Sequence, residues 1–100
     1  MDIAYSVNNV PVRLTAERWY HIVENHDDVA GHYEDVLETI EDPEMVLRGY
    51  NGALIAVRGG GRKGYFCVIY REVNARDGFV ISAYFASEIN KRNVTWSNKH

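Results

Sequence analysis

Four histidines, His21, His26, His32 and His100, are the side chains in this 100-residue chain that exchange protons near neutral pH. His26 ends an apolar stripe of Trp19, Ile22, Val23 and His26, spaced as one face of a helix. From that end it can reach a neighbouring sheet and act as a general acid or base; closing the helix with a hydrogen bond accounts for it equally well. His21 lies off the stripe beside acids and reads as exposed. His32 sits in an acidic helix and reads as solvated, and His100 as part of a disordered terminus. His21 and His26 are five apart, not the four that places two zinc ligands on one helix face, so no metal site is expected. Cys67, the only cysteine, stands between Phe66 and Val68 in an apolar strand, which predicts a buried, inert thiol and rules out an intrachain disulfide.

The cations gather later in the chain. Arg58-Gly59-Gly60-Gly61-Arg62-Lys63-Gly64 joins three positive charges to four glycines, whose bare backbone lets a ligand approach closely. It is not a dinucleotide or P-loop fingerprint, because it connects two strands and lacks the spacing. Arg58, Arg62 and Lys63 are candidate substrate-binding residues; a flexible hairpin kept soluble by charge explains the same residues. Arg71, Ser82 and Tyr84 follow, within strands rich in Val, Ile, Phe and Tyr. Ser82 lacks the strand–turn–helix setting of a nucleophile elbow.

The elements that must position these groups follow from periodicity. Thr15 is an N-cap, with Glu17 favourable in the first turn, and residues 16–25 are predicted helical. Asp27-Asp28 breaks this helix. A second stripe, Val29, Tyr33, Val36, Leu37 and Ile40, runs to Asp42-Pro43, where proline ends it. Met1 to Leu14 shows no helical period, and Val10-Pro11-Val12 reads as extended. From Met45 the period becomes two: Met45–Gly49, Ala53–Arg58, Gly64–Glu72 and Phe79–Ala86 are predicted strands. Asn51-Gly52, the glycine loop and Asp77-Gly78 are the turns between them. No connection is long enough for a crossover helix, so the expectation is two N-terminal helices on one face of a four-stranded antiparallel meander, a single α+β domain. Helices would occupy about 16–41 and the sheet about 45–86, with a short tail that either adds a helix or stays loose.

One sheet face should then be open. Phe79, Ile81, Ala83 and Phe85 form an apolar set expected to face the helices, leaving Val80, Ser82, Tyr84 and Ala86 on the other side. A buried guanidinium is costly without a partner, so Arg58 and Arg71 are expected on the open face, with Arg48 beside them. Arginine forks pair with phosphate oxygens, and tyrosine supplies a stacking plane and a hydroxyl, so this patch suits RNA. Metal-free RNA cleavage needs a base for the 2′-hydroxyl and cations for the pentavalent phosphate. In that scheme His26, Arg71, Ser82 and Tyr84 are the catalytic candidates, and no cofactor is required.

Composition is ordinary for a globular domain, with 46% hydrophobic and 25% charged residues. No apolar run approaches the ~20 residues that span a bilayer, so no membrane contact and a cytoplasmic location are expected. The net charge of −3 hides an asymmetry. Residues 1–50 carry three arginines against eleven acids, a charge of −8, and residues 51–100 carry eight cations against three acids, a charge of +5. Such a split marks an anion-binding half, or simply helices that collect acids where strands do not.

The run Val12-Arg13-Leu14-Thr15-Ala16-Glu17-Arg18-Trp19-Tyr20-His21-Ile22-Val23-Glu24-Asn25-His26, the helix end at Asp42-Pro43 and the strand Phe79–Phe85 resemble small bacterial and phage-associated proteins of the barnase–EndoU–colicin–RelE-like ribonuclease group. The resemblance covers about residues 12–96. It implies helices followed by a four-stranded antiparallel sheet, and a metal-independent endoribonuclease, often the toxin of a toxin–antitoxin pair. The implied partners are RNA (tRNA or mRNA) and an antitoxin protein. His26, Arg58, Arg71, Ser82 and Tyr84 match the residue types such enzymes use, Ser82 standing where threonine is common in the group. The chain departs from the many strongly basic members in being acidic overall. Two other readings stand beside this one: a non-catalytic protein- or RNA-binding module of the same fold, and a homodimer whose interface is the open sheet face around Ile69 and Tyr84.

Overall fold

Local signals set both helices. Thr15 Oγ1 accepts the Arg18 N–H at 3.1 Å, and α1 runs Ala16–Asn25 behind that cap. Asp27–Val29 forms one 3₁₀ turn, and α2 runs Tyr33–Glu41 to the stop before Pro43. The computed structural model describes residues 1–98, so His100 lies outside the described residues.

The sheet overturns the expected four-stranded antiparallel meander. It has seven strands and is mixed, in the order β1-β2-β6-β5-β4-β3-β7. The strands are β1 (Asp2–Tyr5), β2 (Pro11–Leu14), β3 (Met45–Arg48), β4 (Leu54–Gly59), β5 (Tyr65–Asn74), β6 (Asp77–Ala86) and β7 (Val94–Ser97). β1 and β2 form a hairpin, and β2 joins β6 in parallel through Val12–Gly78 and Arg13–Phe79. The parallel pairing is reached because two helices and three strands separate these elements in the chain, ample length for a crossover. The tail forms a 3₁₀ turn, Lys91–Asn93, and then β7 on the far edge of β3. Each of β1, β2 and β7 has four residues, too short a run for a period of two to stand out from loop.

Both helices pack on one face. Leu14, Ile22, Val29, Val36 and Ile40 meet Val12, Ala56, Val68, Tyr70, Val80 and Ala83 there. The opposite face is not simply solvated: Leu47, Val57 and Cys67 form a smaller buried cluster with Met45, Ile55, Tyr65 and Tyr84 around it.

The expected directions of Val80, Ile81 and Arg58 are corrected. Ile69 pairs with Ser82 but Tyr70 pairs with Val80, so Ile81 is an extra residue and the β5–β6 ladder carries a bulge. Val80, Ala83 and Phe85 therefore pack toward the helices, while Ile81 shares the opposite face with Tyr84. Val80 and Ile81 thus exchange the faces expected of them, while Ala83, Tyr84 and Phe85 keep theirs. Arg58 is corrected for a different reason. In β4, Ala56 belongs to the helix-side core and Val57 to the other cluster, so Arg58 returns to the helix side. It sits at the strand end, where Glu38 of α2 offers a carboxylate at 3.7 Å and solvent still reaches the pair. The cost of burying an unpaired guanidinium never arises there.

Candidate functional site

The bulge shapes a groove of about 720 Å³ on the face away from the helices. Ile55, Ile69 and Ile81 give it apolar walls; Arg48, Arg71, Asn51, Tyr84, Asn90 and Asn93 supply polar groups. Arg71 comes from β5 and is anchored by its Nη2, which donates to the Asn51 carbonyl. Asn51 occupies the left-handed region at φ 53°, next to Gly52 at φ 81°, so the Asn-Gly turn presents that carbonyl to the guanidinium. With Nη2 held, the remaining donors of the fork stay available to a ligand. On the other side of the groove, Asn90 accepts the Arg92 N–H at 3.1 Å and so holds the turn that carries Asn93.

His26 reaches this face from the end of α1. Its backbone N–H caps Ile22 O at 2.8 Å, and its ring centroid lies 5.9 Å from that of Tyr84. Arg18 Nη1 donates to Ile81 O at 3.5 Å, which ties the helix to the bulge. α1 takes this position because β2 covers β6 only through Gly78 and Phe79, leaving the edge of β6 beyond them without a strand neighbour.

Tyr84 and Cys67 are cross-strand partners. Burial pushes the Tyr84 hydroxyl upward, with Cys67 adding to the effect, so the phenol stays protonated at neutral pH. Burial likewise pushes the Cys67 thiol up to about 11, against the opposing hydrogen bond from Tyr84, and this fully enclosed sulfur is no nucleophile. Of the four catalytic candidates, the groove lining takes in Arg71 and Tyr84, and His26 stands beside Tyr84. Ser82 is half-buried opposite Ile69 and is not part of the lining.

The three substrate-binding candidates lie elsewhere. Arg58, Arg62 and Lys63 line a separate cleft of about 550 Å³ between α2 and the β4–β5 hairpin, on the helix side of the sheet. They therefore do not share the groove of Arg71 and Tyr84. His32, expected to be solvated, is half-buried in this cleft. Its Nδ1 is 2.7 Å from Asp35 Oδ2, and its ring lies 5.8 Å from Phe66 and 5.1 Å from Phe85. The His-x-x-Asp spacing at the start of α2 was the available signal for that pair. Arg48 lines the groove with Arg71, as its expected place on the open face implied, whereas Asn90 and Asn93 carried no signal, since their convergence depends on a tail turn meeting the sheet.

Among the described residues, no group of three or more His, Cys, Asp or Glu side chains is placed to hold a metal ion, and no helix is long and apolar enough to cross a membrane. No family model, curated protein or solved structure matches the chain.

Proposed function

We propose that the protein is a metal-independent endoribonuclease that works in the groove away from the helices. The observation that carries the reading is the convergence of Arg71 and Tyr84 in one groove, with the His26 ring 5.9 Å from Tyr84. The resemblance to the barnase–EndoU–colicin–RelE-like group supplies the reaction class. His26 accepts the 2′-hydroxyl proton as the 2′-oxygen attacks phosphorus. Arg71 pairs with the nonbridging oxygens and holds the charge that builds on the phosphorane; Arg48 adds a second positive charge. Tyr84, protonated at working pH, donates a hydrogen bond to a nonbridging oxygen. The P–O5′ bond breaks, leaving a 2′,3′-cyclic phosphate, and the departing 5′-oxygen takes its proton from water in the open groove. Asn90 and Asn93 offer amide donors and acceptors to a base lying on Ile55 and Ile69.

The toxin role and an antitoxin partner belong to the same proposal. A second reading, RNA binding without cleavage, is favoured by one feature: His26 and Tyr84 have no hydrogen bond between their side chains. The test is incubation with total tRNA and a structured messenger RNA in EDTA, beside His26→Ala and Arg71→Ala. Discrete fragments bearing cyclic phosphate from the wild type are expected, with Arg71→Ala slower by about 10²–10³-fold and an unchanged unfolding midpoint. No fragments, with RNA still bound, would leave the binding module as the answer. Full cleavage by Arg71→Ala would remove the groove from the mechanism.

A further inference from the structure

The two larger hollows of the molecule differ in charge. The helix-side cleft sets Asp35, Glu38 and Glu44 against Arg58, Arg62 and Lys63, which balance with His32 neutral. The groove on the other face is lined by Arg48 and Arg71 and by no carboxylate, so its two positive charges are uncompensated. Tyr50 lines the same groove and is 91% exposed, more than any other large apolar side chain among the described residues. Its ring therefore stands at the mouth of the groove with almost nothing packed on it.

One exposed ring on a surface calls for no explanation. This one is distinguished by the turn that carries it, which is built onto Arg71. The Gly49 N–H donates to Ala53 O at 2.8 Å and the Ala53 N–H to Tyr50 O at 2.9 Å, closing the turn around Tyr50. Arg71 Nη2 donates to the Asn51 carbonyl, and Arg71 Nη1 lies against Gly52, 3.5 Å from where a Cβ would stand. Turn and guanidinium thus form one unit, in which an aromatic ring and a phosphate-binding fork keep a set relation. Tyrosine has only two side-chain torsions to order on binding, so the ring is immobilised at low entropic cost.

We infer that Tyr50 is a base-stacking residue and that the groove takes RNA whose nucleotide beside Arg71 is unpaired. Each nucleotide of a single strand offers one negative charge and an open aromatic face; the guanidinium takes the charge and the ring takes the face. In a duplex the base faces are already stacked on their neighbours, and Tyr50 has nothing to cover. The inference rests on the reading of the groove as an RNA site. To that reading it adds the strand state of the substrate and the residue that selects it.

The experiment follows fluorescence anisotropy of a labelled 2′-O-methyl RNA oligonucleotide, single-stranded or annealed to its complement, with the full chain. The blocked 2′-oxygen cannot attack phosphorus, so binding is measured apart from cleavage. The single strand should bind at least about tenfold more tightly than the duplex. Tyr50→Ala should weaken single-strand binding by about tenfold. Tyr50→Trp should bind as wild type does and Tyr50→Leu should not, with unchanged unfolding midpoints because the side chain is exposed. Equal affinity for duplex and single strand, undiminished binding by Tyr50→Ala or Tyr50→Leu, or no binding of the single strand would overturn the inference. Incubation of wild type and Tyr50→Ala with total tRNA in EDTA separates the two conclusions. Equal cleavage by both keeps the groove reaction and removes Tyr50 from it; Tyr50-dependent binding without fragments keeps the stacking site and removes the reaction.

Discussion

At the scale of single residues, Arg13 and Tyr70 mark two extremes of how a polar group is held among the described residues. Arg13 is held bidentate by Asp77, with Nε and Nη2 each 3.0 Å from a carboxylate oxygen, and its guanidinium also lies 5.8 Å from the Phe79 ring. That pair fixes β2 against β6 at the point where the parallel ladder begins. Tyr70 is the opposite case. It is fully buried, and its hydroxyl has no hydrogen-bond partner. A buried hydroxyl without a partner costs about 1–3 kcal/mol of desolvation with nothing gained in return. Tyr70→Phe should therefore raise the urea midpoint, by up to about 1 kcal/mol of stability, or leave it unchanged. A loss above that size in equilibrium unfolding would show that the hydroxyl has a partner in solution.

At the scale of elements, the β4–β5 hairpin is the part of the fold with least tolerance. Gly64 has φ 91°, and a methyl group there would meet Ala86 O at 2.3 Å and the Ser87 Cα at 2.9 Å. Backbone atoms of a central strand cannot swing aside as a side-chain tip can. Gly64→Ala should cost about 2 kcal/mol or more, combining left-handed strain with the clash. Gly61→Ala meets only the strain, because nothing lies within 4 Å of its Cβ direction, and should cost about 1 kcal/mol. Urea unfolding of the two variants side by side checks the order; equal losses would mean that the hairpin moves as a unit away from β6. The bulge at Ile81 has the opposite character, since it turns Val80 toward the helices and Ile81 into the groove wall with no glycine at the bulge.

At the scale of the molecule, the titrating groups that the fold perturbs shift in one direction. Asp2 accepts a hydrogen bond from the Tyr33 hydroxyl at 2.6 Å, which, with burial, pushes that phenol up from 10 to about 12. Burial pushes the Cys67 thiol from 9 up to about 11, and raises Tyr70 and Tyr84 as well. Each raised value means that the folded chain holds a proton which the unfolded chain has released. Stability from these groups is therefore complete below about pH 9 and declines as pH rises through about 11 to 12. Thermal unfolding followed from pH 8 to 12 should show a falling midpoint across that window, and Tyr33→Phe should flatten the upper part of the fall. A midpoint level to pH 12 would mean these protons are not retained in the native state.

Local chemistry was enough for much of this protein. The Thr15 cap, the stripe from Trp19 to His26, the Pro43 stop and the Asn51-Gly52 turn each rest on contacts within a few residues, so the sequence determined both helices and the central strands; the β5–β6 turn, expected at Asp77-Gly78, falls two residues earlier on Ala75-Arg76, and Asp77 and Gly78 open β6. The buried state of Cys67 follows from its apolar neighbours in the same way. What lay beyond reach depends on pairing across long separations. Only the assembled sheet brings residues 11–14 beside β6, with residues 2–5 outside them, and residues 94–97 beside β3. A one-residue bulge, invisible in the composition of Phe79–Phe85, decides which side chains share a face. The same holds for the cations: the cost of burying an unpaired guanidinium put Arg58 with Arg71, but the carboxylate of Glu38, twenty residues earlier on α2, made the helix side acceptable for Arg58. Period and caps are local energies and can be read along the chain. Which face a strand-end charge takes is a difference between two environments, and those exist only once the helices have packed.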